Sequence, residues 1–320
     1  MDKHKYMVSG TPHVRSGDRI SDIMLDVVIA LTPAAVMAAY YFGFPAIALM
    51  LVSVESAVTF EFLYQKAMKQ KVTVGDYSAM ITGLLLAFNL PASAPLWLPI
   101  VGSFFAIVLV KQLFGGLGQN FMNPALAARA FLLASFSKEM TNWSALPGAS
   151  AVVDGVSSAT PLALLKTGDF VPRGSDMINA LIGNTGGCLG ETCAVALIIG
   201  GLYLIARQVI SWKIPVFYIG TVAVLSFLFG RQGAPVYDLL TGGLLLGAFF
   251  MATDYSSSPV TQSGKIIFAV GCGILTMVIR ALSAGYPEGV SYSILLMNLA
   301  VPLIDRFTKP RVFGKAGKHV

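Results

Sequence analysis

Long apolar stretches, separated by short polar segments, fill most of this 320-residue chain. A helix needs about 20 mostly apolar residues to cross a bilayer, so the stretches predict about ten transmembrane helices. The predicted spans are residues 23–42, 46–63, 77–90, 96–114, 124–136, 188–205, 215–229, 237–251, 266–282 and 290–304. The pattern therefore predicts an all-α integral membrane protein.

The two halves of the chain resemble each other. Residues 77–88 are similar to residues 237–249, and the pair Met122 and Asn123 recurs as Met297 and Asn298. Helix breakers also interrupt the third and fifth spans, at residues 89–91 and 115–120. Five spans separate the copies, so the copies run in opposite directions through the membrane. This is a five-plus-five inverted repeat with broken helices, although Leu-, Gly- and Ala-rich sequence also produces some similarity by chance.

The same pattern divides the chain into five segments. A cytoplasmic N-terminal tail (1–22) precedes the first helical repeat (23–138), and the only long loop (139–187) lies on the extracytoplasmic side of what we expect to be a bacterial or archaeal cytoplasmic membrane. The second helical repeat (188–305) leads into a basic cytoplasmic tail (306–320). No secretory signal peptide is recognisable in the N-terminal tail.

Composition and charge support this organisation. Hydrophobic residues make up 55% of the chain and charged residues only 12%, against about 25% charged in soluble proteins. With both termini inside, most of the 22 Lys and Arg residues lie on the cytoplasmic side, as the positive-inside rule requires. The net charge of +6 is therefore a signal of topology, and we expect no nucleic-acid partner.

Several cofactor classes are excluded by the distribution of chemical groups. The three His residues all lie in the terminal tails, so no span supplies a haem ligand. Cys188, Cys193 and Cys272 match no zinc spacing and are interpreted as small core residues. The chain has no phosphate-binding loop of the ATPase type. We therefore predict no metal site and no ATP-driven pump.

Charged residues within or beside the spans are functional candidates, because a charge is costly in the bilayer. Glu55 and Arg129 lie deepest in their spans. A structural interpretation is that such charges lie at helix ends or pair with each other. The wider set is Asp26, Glu55, Glu61, Arg129, Glu191, Asp238, Asp254 and Arg280.

The loop segment 154–160, with sequence DGVSSAT, is small and rich in hydroxyl groups. Its small residues leave room for an accessory enzyme to transfer a phosphate-bearing group onto Thr160. Local chemistry by itself favours a simpler role, in which Thr160 caps a helix that begins at Pro161.

A family resemblance favours the modified threonine. The segment resembles the flavinylation signal D-x-x-[ST]-G-A-T of the D subunits of Rnf ferredoxin:NAD oxidoreductase complexes and the related B subunit of the sodium-translocating NADH:quinone reductase. Ser158 replaces the usual glycine. The likeness extends to residues 16–26, 118–125, 252–259, 287–290 and 297–305, and the short N-terminal tail is more similar to the Rnf subunits.

The resemblance implies a function in electron transfer. Thr160 would carry FMN through a phosphoester bond, within a site that includes Asp154, Ser157 and Ser158. The chain would relay electrons in a translocase that couples ferredoxin:NAD electron transfer to sodium or proton translocation, without being catalytic alone. Expected partners are the other membrane and peripheral Rnf subunits, including another FMN-bearing subunit and iron–sulfur subunits, a flavin transferase, and membrane lipid.

The resemblance also implies a second, non-covalent flavin, either riboflavin or FMN. Asn120, Asn123 and Asp254 resemble the residues that hold such a flavin in the quinone-reductase relative. The alternative is that these residues only satisfy backbone groups freed at helix breaks. A further alternative for the whole chain is a secondary transporter or channel subunit without a redox cofactor, for which ten spans and an inverted repeat would be natural.

Overall fold

The computed structural model describes residues 19–142, 174–183, 187–191, 193–229, 235–282 and 289–309. Helices dominate these ranges, and no β-strand occurs within them. The predicted all-α class is confirmed.

The helices follow the predicted spans closely. The first five are α1 (Ile20–Phe42), α2 (Phe44–Ala67), α3 (Ser78–Phe88), α4 (Trp97–Gln112) and α5 (Pro124–Ser135). The next are α6 (Ala194–Ala206), α7 (Lys213–Leu228), a broken α8, α9 (Gln262–Leu282) and α10 (Val290–Phe307). The pieces of α8 are Pro235–Leu240, Leu244–Leu246 and a π-helical turn at Gly247–Met251, and short helices form at Ser137–Met140 and Gly174–Ile182.

Four helices, α1, α2, α9 and α10, are long and apolar enough to cross a membrane by length and composition. The helices α3, α4, α5, α6 and α7 are shorter but apolar. Breaks account for part of this shortening, since α3 ends just before Asn89 and α5 begins just after Asn123. The fold is therefore that of a multi-pass membrane protein with interrupted helices.

The packing of the helices fits two sets of five. The first helices of the two sets, α1 and α6, pack along each other, and the last helices, α5 and α10, are also in contact. Within the sets, α2 packs mainly on α3, whereas α7 packs mainly on α9. Contact between equivalent helices is expected of a two-fold repeat, whereas the different packing of α2 and α7 departs from strict repetition.

Most membrane charges lie in ion pairs. Four pairs occur in the described residues, with N–O distances of 3.0 to 4.0 Å: Lys111–Glu61, Arg129–Glu191, Arg207–Asp26 and Arg280–Asp238. The two deepest charges differ, because Arg129 is buried and Glu55 is exposed on the surface of α2. Pairing inside the protein reduces the cost of burying these charges.

The crossing of α1 and α6 depends on a glycine, which gives a first prediction. A Cβ atom at Gly200 would overlap the carbonyl oxygen of Ala30, so Gly200→Ala should force the helices apart. Overpacking of this kind costs about 1–3 kcal/mol. The expected result is a lower melting temperature of the purified protein in detergent.

The matched control is Gly220→Ala on α7, where a new Cβ would meet nothing within 4 Å. That change should leave the melting temperature unchanged or raise it, since alanine is the better helix former by about 1 kcal/mol. Equal melting temperatures for the two variants would contradict the proposed close packing.

Candidate functional site

Asn123 joins the start of α5 to the end of α8. Its Oδ1 atom accepts hydrogen bonds from the N–H groups of Ala125 at 3.0 Å and Leu126 at 3.2 Å, and therefore caps α5. Its Nδ2 atom donates to the carbonyl oxygen of Met251, the last residue of the π-helical turn, at 3.2 Å. Asn123 thus has the structural role that the helix-break interpretation predicts.

Asn120 and Asp254 meet from opposite halves of the chain. Asn120 Nδ2 donates to Asp254 Oδ2 at 3.2 Å and to the carbonyl oxygen of Met122 at 3.1 Å. The same Asp254 oxygen accepts hydrogen bonds from the hydroxyl groups of Ser256 at 3.1 Å and Ser257 at 2.9 Å. The structure therefore brings together the residues predicted for the second flavin site.

Asn298 extends this cluster and was not predicted as a site residue. With its amide oriented so that the nitrogen donates, it reaches the carbonyl oxygens of Ser257 at 3.0 Å and Ile294 at 3.2 Å. Its oxygen then accepts from the N–H of Asn123 at 3.1 Å. The repetition of Met-Asn in the two halves was the available signal, because the second Asn of the repeated pair contacts the first.

A cleft lies beside this cluster, with about 790 Å³ of space between protein atoms, part of it open at the mouth. Its walls are mostly apolar, and α1, α3, α6 and the π-helical turn of α8 supply them. Asn120, Asn123 and Asp254 line the cleft together with several apolar side chains, which include Ile23, Met24, Val27, Ile81, Leu85, Leu204, Phe249 and Phe250. Apolar walls with a few convergent polar groups are typical of a site for a small organic ligand.

A buried lysine, Lys111, also lines the cleft. Its ammonium group lies 3.0 Å from Glu61 Oε1 and 3.1 Å from Glu61 Oε2, and it donates to Ser78 Oγ at 2.7 Å. Gln112 Nε2 donates to Glu61 as well, at 2.7 Å. The positive-inside rule predicts Lys111 as a cytoplasmic surface charge, but the structure places it among protein groups with 2% of its surface exposed.

Tyr255 forms one edge of the cleft by donating a hydrogen bond to the carbonyl oxygen of Val209. Desolvation raises the pKa of Tyr255, so the phenol stays neutral and remains a donor at physiological pH. This contact connects the segment after α8 to the segment after α6.

A second polar cluster surrounds Arg129 on α5. Its guanidinium donates to Asn89 Oδ1 at 2.7 Å and to the Cys188 sulfur at 3.5 Å, and lies 3.5 Å from Glu191. Asn89 in turn donates to the carbonyl oxygen of Leu85 at 2.6 Å. Arg129 therefore connects the break after α3 to the segment that precedes α6.

The predicted covalent site lies outside the described residues. Asp154, Ser157, Ser158 and Thr160 all fall between residues 142 and 174, so their role stays a prediction. In the part of the chain that the structure describes, no cluster of three or more His, Cys, Asp and Glu residues is arranged to hold a metal ion.

Known proteins match the chain over nearly its whole length. The profile of the NQR2, RnfD, RnfE family matches residues 7–314. A relative from Acetobacterium woodii, the D subunit of the Na(+)-translocating ferredoxin:NAD(+) oxidoreductase complex, is 54% identical over 98% of this chain and 97% of its own. The D subunit of the proton-translocating ferredoxin:NAD(+) oxidoreductase complex of Clostridium ljungdahlii is 45% identical over the same shares.

A third relative is the D subunit of the ion-translocating oxidoreductase complex of Stutzerimonas stutzeri, which is 40% identical over 92% of both chains. High identity over full-length relatives agrees with the family profile. The chain therefore belongs to the NQR2, RnfD, RnfE family.

Proposed function

We propose that this chain is a membrane-embedded flavoprotein subunit that relays electrons within an ion-translocating ferredoxin:NAD oxidoreductase complex. The similarity to the D subunits of such complexes supports the assignment to an oxidoreductase translocase. The observation that carries the flavin assignment is the cleft at which Asn120 and Asp254 meet.

The residues of this cleft fit a flavin ring. The ring has apolar faces, and its polar edge requires both hydrogen-bond donors and acceptors, which Asn amides and a carboxylate supply. Asn120 is positioned by Asp254 and Asn123 by the start of α5, so both amides are held in place. A bound flavin would supply the redox chemistry, while the protein sets its position and its electronics.

Charges around the cleft would influence the redox properties of such a cofactor. The negative charge of Asp254 disfavours a reduced, anionic ring, although three donors share its Oδ2 atom. Lys111 places a positive charge at the cleft, held there by Glu61 and Ser78. Because the Glu61 carboxylate lies 3.0 Å from Lys111 and offsets its charge, Asp254 has the larger net effect and lowers the reduction potential.

A second part of the proposal is FMN bound covalently at Thr160 in the loop outside the membrane. The flavinylation signal at residues 154–160 supports it, as does the distribution of basic residues, which favours cytoplasmic termini. Electrons that reach an outer flavin must return to NAD across a hydrocarbon core of about 30 Å. A carrier in the cleft near the cytoplasmic side would shorten that distance.

The proposed partners are the remaining subunits of the complex, together with a flavin transferase for maturation. Two relatives of similar length belong to complexes named Na(+)-translocating and proton-translocating. We therefore assign the chain to ion-coupled electron transfer, with either ion as the coupling ion.

The flavin content of the purified complex tests the proposal. The denatured subunit should keep one flavin and fluoresce as a band in a gel, and acid should release a second flavin. A colourless band from a host that contains the flavin transferase would favour a transporter without a redox cofactor.

A further inference from the structure

Glu55 occupies an unusual place near the middle of α2. With a rise of 1.5 Å per residue, Glu55 lies about 17 Å from the first residue of this 24-residue helix and about 18 Å from the last. Its side chain is nevertheless exposed at the surface of the protein. A glutamate side chain is too short to reach the polar lipid head groups from this depth, as the longer Lys and Arg do near helix ends.

Glu61, six residues further along the same helix, is a carboxylate that has partners within this chain. It is buried and contacts Lys111, Gln65 and Gln112. Six residues turn a helix through about 240°, so Glu55 points away from that cluster. In the described ranges, Glu55 has neither an ion pair nor a hydrogen bond from its side chain.

We propose that the exposed face of α2 around Glu55 packs against a transmembrane helix of another subunit, and that this helix presents a Lys or Arg side chain to Glu55. Leu51 and Thr59, one turn before and one turn after Glu55, are also exposed on this face. Leu51 would form the apolar part of the contact, and Thr59 would contribute a small side chain. A charge facing lipid at this depth is costly, and a cation from a partner removes that cost.

Charge complementarity favours a different subunit over a second copy of this chain. A symmetric contact between two α2 helices would place Glu55 opposite Glu55, and like charges repel in a medium of low dielectric constant. The nearest basic residue on α2 is Lys66, which lies 11 residues, or about 17 Å, further along the helix. Lys66 is therefore too far from Glu55 to pair with it in such a dimer.

Photo-crosslinking in the intact complex tests the identity of the neighbour. A benzophenone side chain introduced at Leu51 or Thr59 should form a crosslink to one other subunit, and mass spectrometry should locate it in a transmembrane segment that contains Lys or Arg. The same probe at Phe227 on α7, which is 75% exposed, is the control. It measures how much crosslinking to lipid occurs at another exposed position. Crosslinks only to lipid, or only to a second copy of this chain, would overturn the proposal.

Two substitutions at Glu55 test the charge pairing. Glu55→Leu should reduce co-purification of the partner subunit at least tenfold, because it leaves the partner's cation unpaired in the membrane, whereas Glu55→Asp should retain most of it. If Glu55 faced lipid, Glu55→Leu would instead leave assembly unchanged, and that result would overturn the pairing. Insertion of each variant into membranes, measured separately, shows that the subunit itself is made.

Discussion

Thr160→Ala is expected to remove all covalently bound flavin from the protein while leaving it in the membrane and in its complex. The proposed phosphoester uses the hydroxyl oxygen of Thr160, and alanine offers no oxygen in its place. The loop segment 154–160 is polar and lies outside the predicted spans, so the change should cost the fold little. Peptide mass spectrometry should find the mass of FMN less water on the wild-type peptide alone.

Thr167→Ala, in the same loop, is the matched control and should keep its covalent flavin. Ser158→Gly restores the residue that the flavinylation signal usually has at this position, and it should also keep the flavin. Covalent flavin in Thr160→Ala, or its loss in Thr167→Ala as well, would contradict the assignment of Thr160 as the acceptor.

Asn120→Leu should empty the cleft of acid-extractable flavin without affecting the flavin linked to Thr160. The change removes the hydrogen bond from Asn120 to Asp254 and replaces the amide beside the ring edge with an apolar group. Loss of a buried polar contact of this kind costs about 1–3 kcal/mol, which is about a 5- to 150-fold loss of affinity. Extractable flavin per complex, measured by fluorescence after acid precipitation, reports the result.

The structure also identifies which variants give a clear answer. Asn123→Leu should lose the extractable flavin too, but it also uncaps α5. Asn123→Asp keeps an oxygen that caps α5 and replaces the amide donor with a carboxylate oxygen, so it tests the loss of the donor without uncapping the helix. Ser257→Ala removes one donor to Asp254 from a residue outside the cleft lining, and it should retain the flavin. Unchanged flavin in both Asn120→Leu and Asp254→Leu would show that these residues are structural.

Much of the fold was predictable because hydrophobic segments of a given length have few alternatives in a bilayer. The helices α1 and α2 begin within three residues of their predicted spans and end within four. The breaks at residues 89–91 and 115–120 were predictable as well, since Asn and Pro close together and a cluster of Gly favour a helix end, although single Pro residues stand inside α1 and α10. The π-helical turns in α4 and α8 were not predictable, because an inserted residue in a helix leaves the apolar pattern almost unchanged.

The sequence by itself also predicted the chemistry of the candidate sites. The signal at residues 154–160 is local, so it can be recognised in the chain without any structure, and the pair Asn120 and Asn123 lies in one short motif. The sequence could name Asp254 as their partner only through a family resemblance, because 134 residues separate it from Asn120. A contact over that distance depends on how the two halves pack.

The tertiary structure decided which membrane charges face the interior. Glu55, Glu61 and Lys111 all stand in apolar segments, and their sequence surroundings do not distinguish them. The orientation of α2 about its own axis buries Glu61 against Lys111 and leaves Glu55 exposed. This difference arises from the orientation and packing of the helix, which depend on contacts between distant segments. The existence of each helix, by contrast, depends only on its own composition.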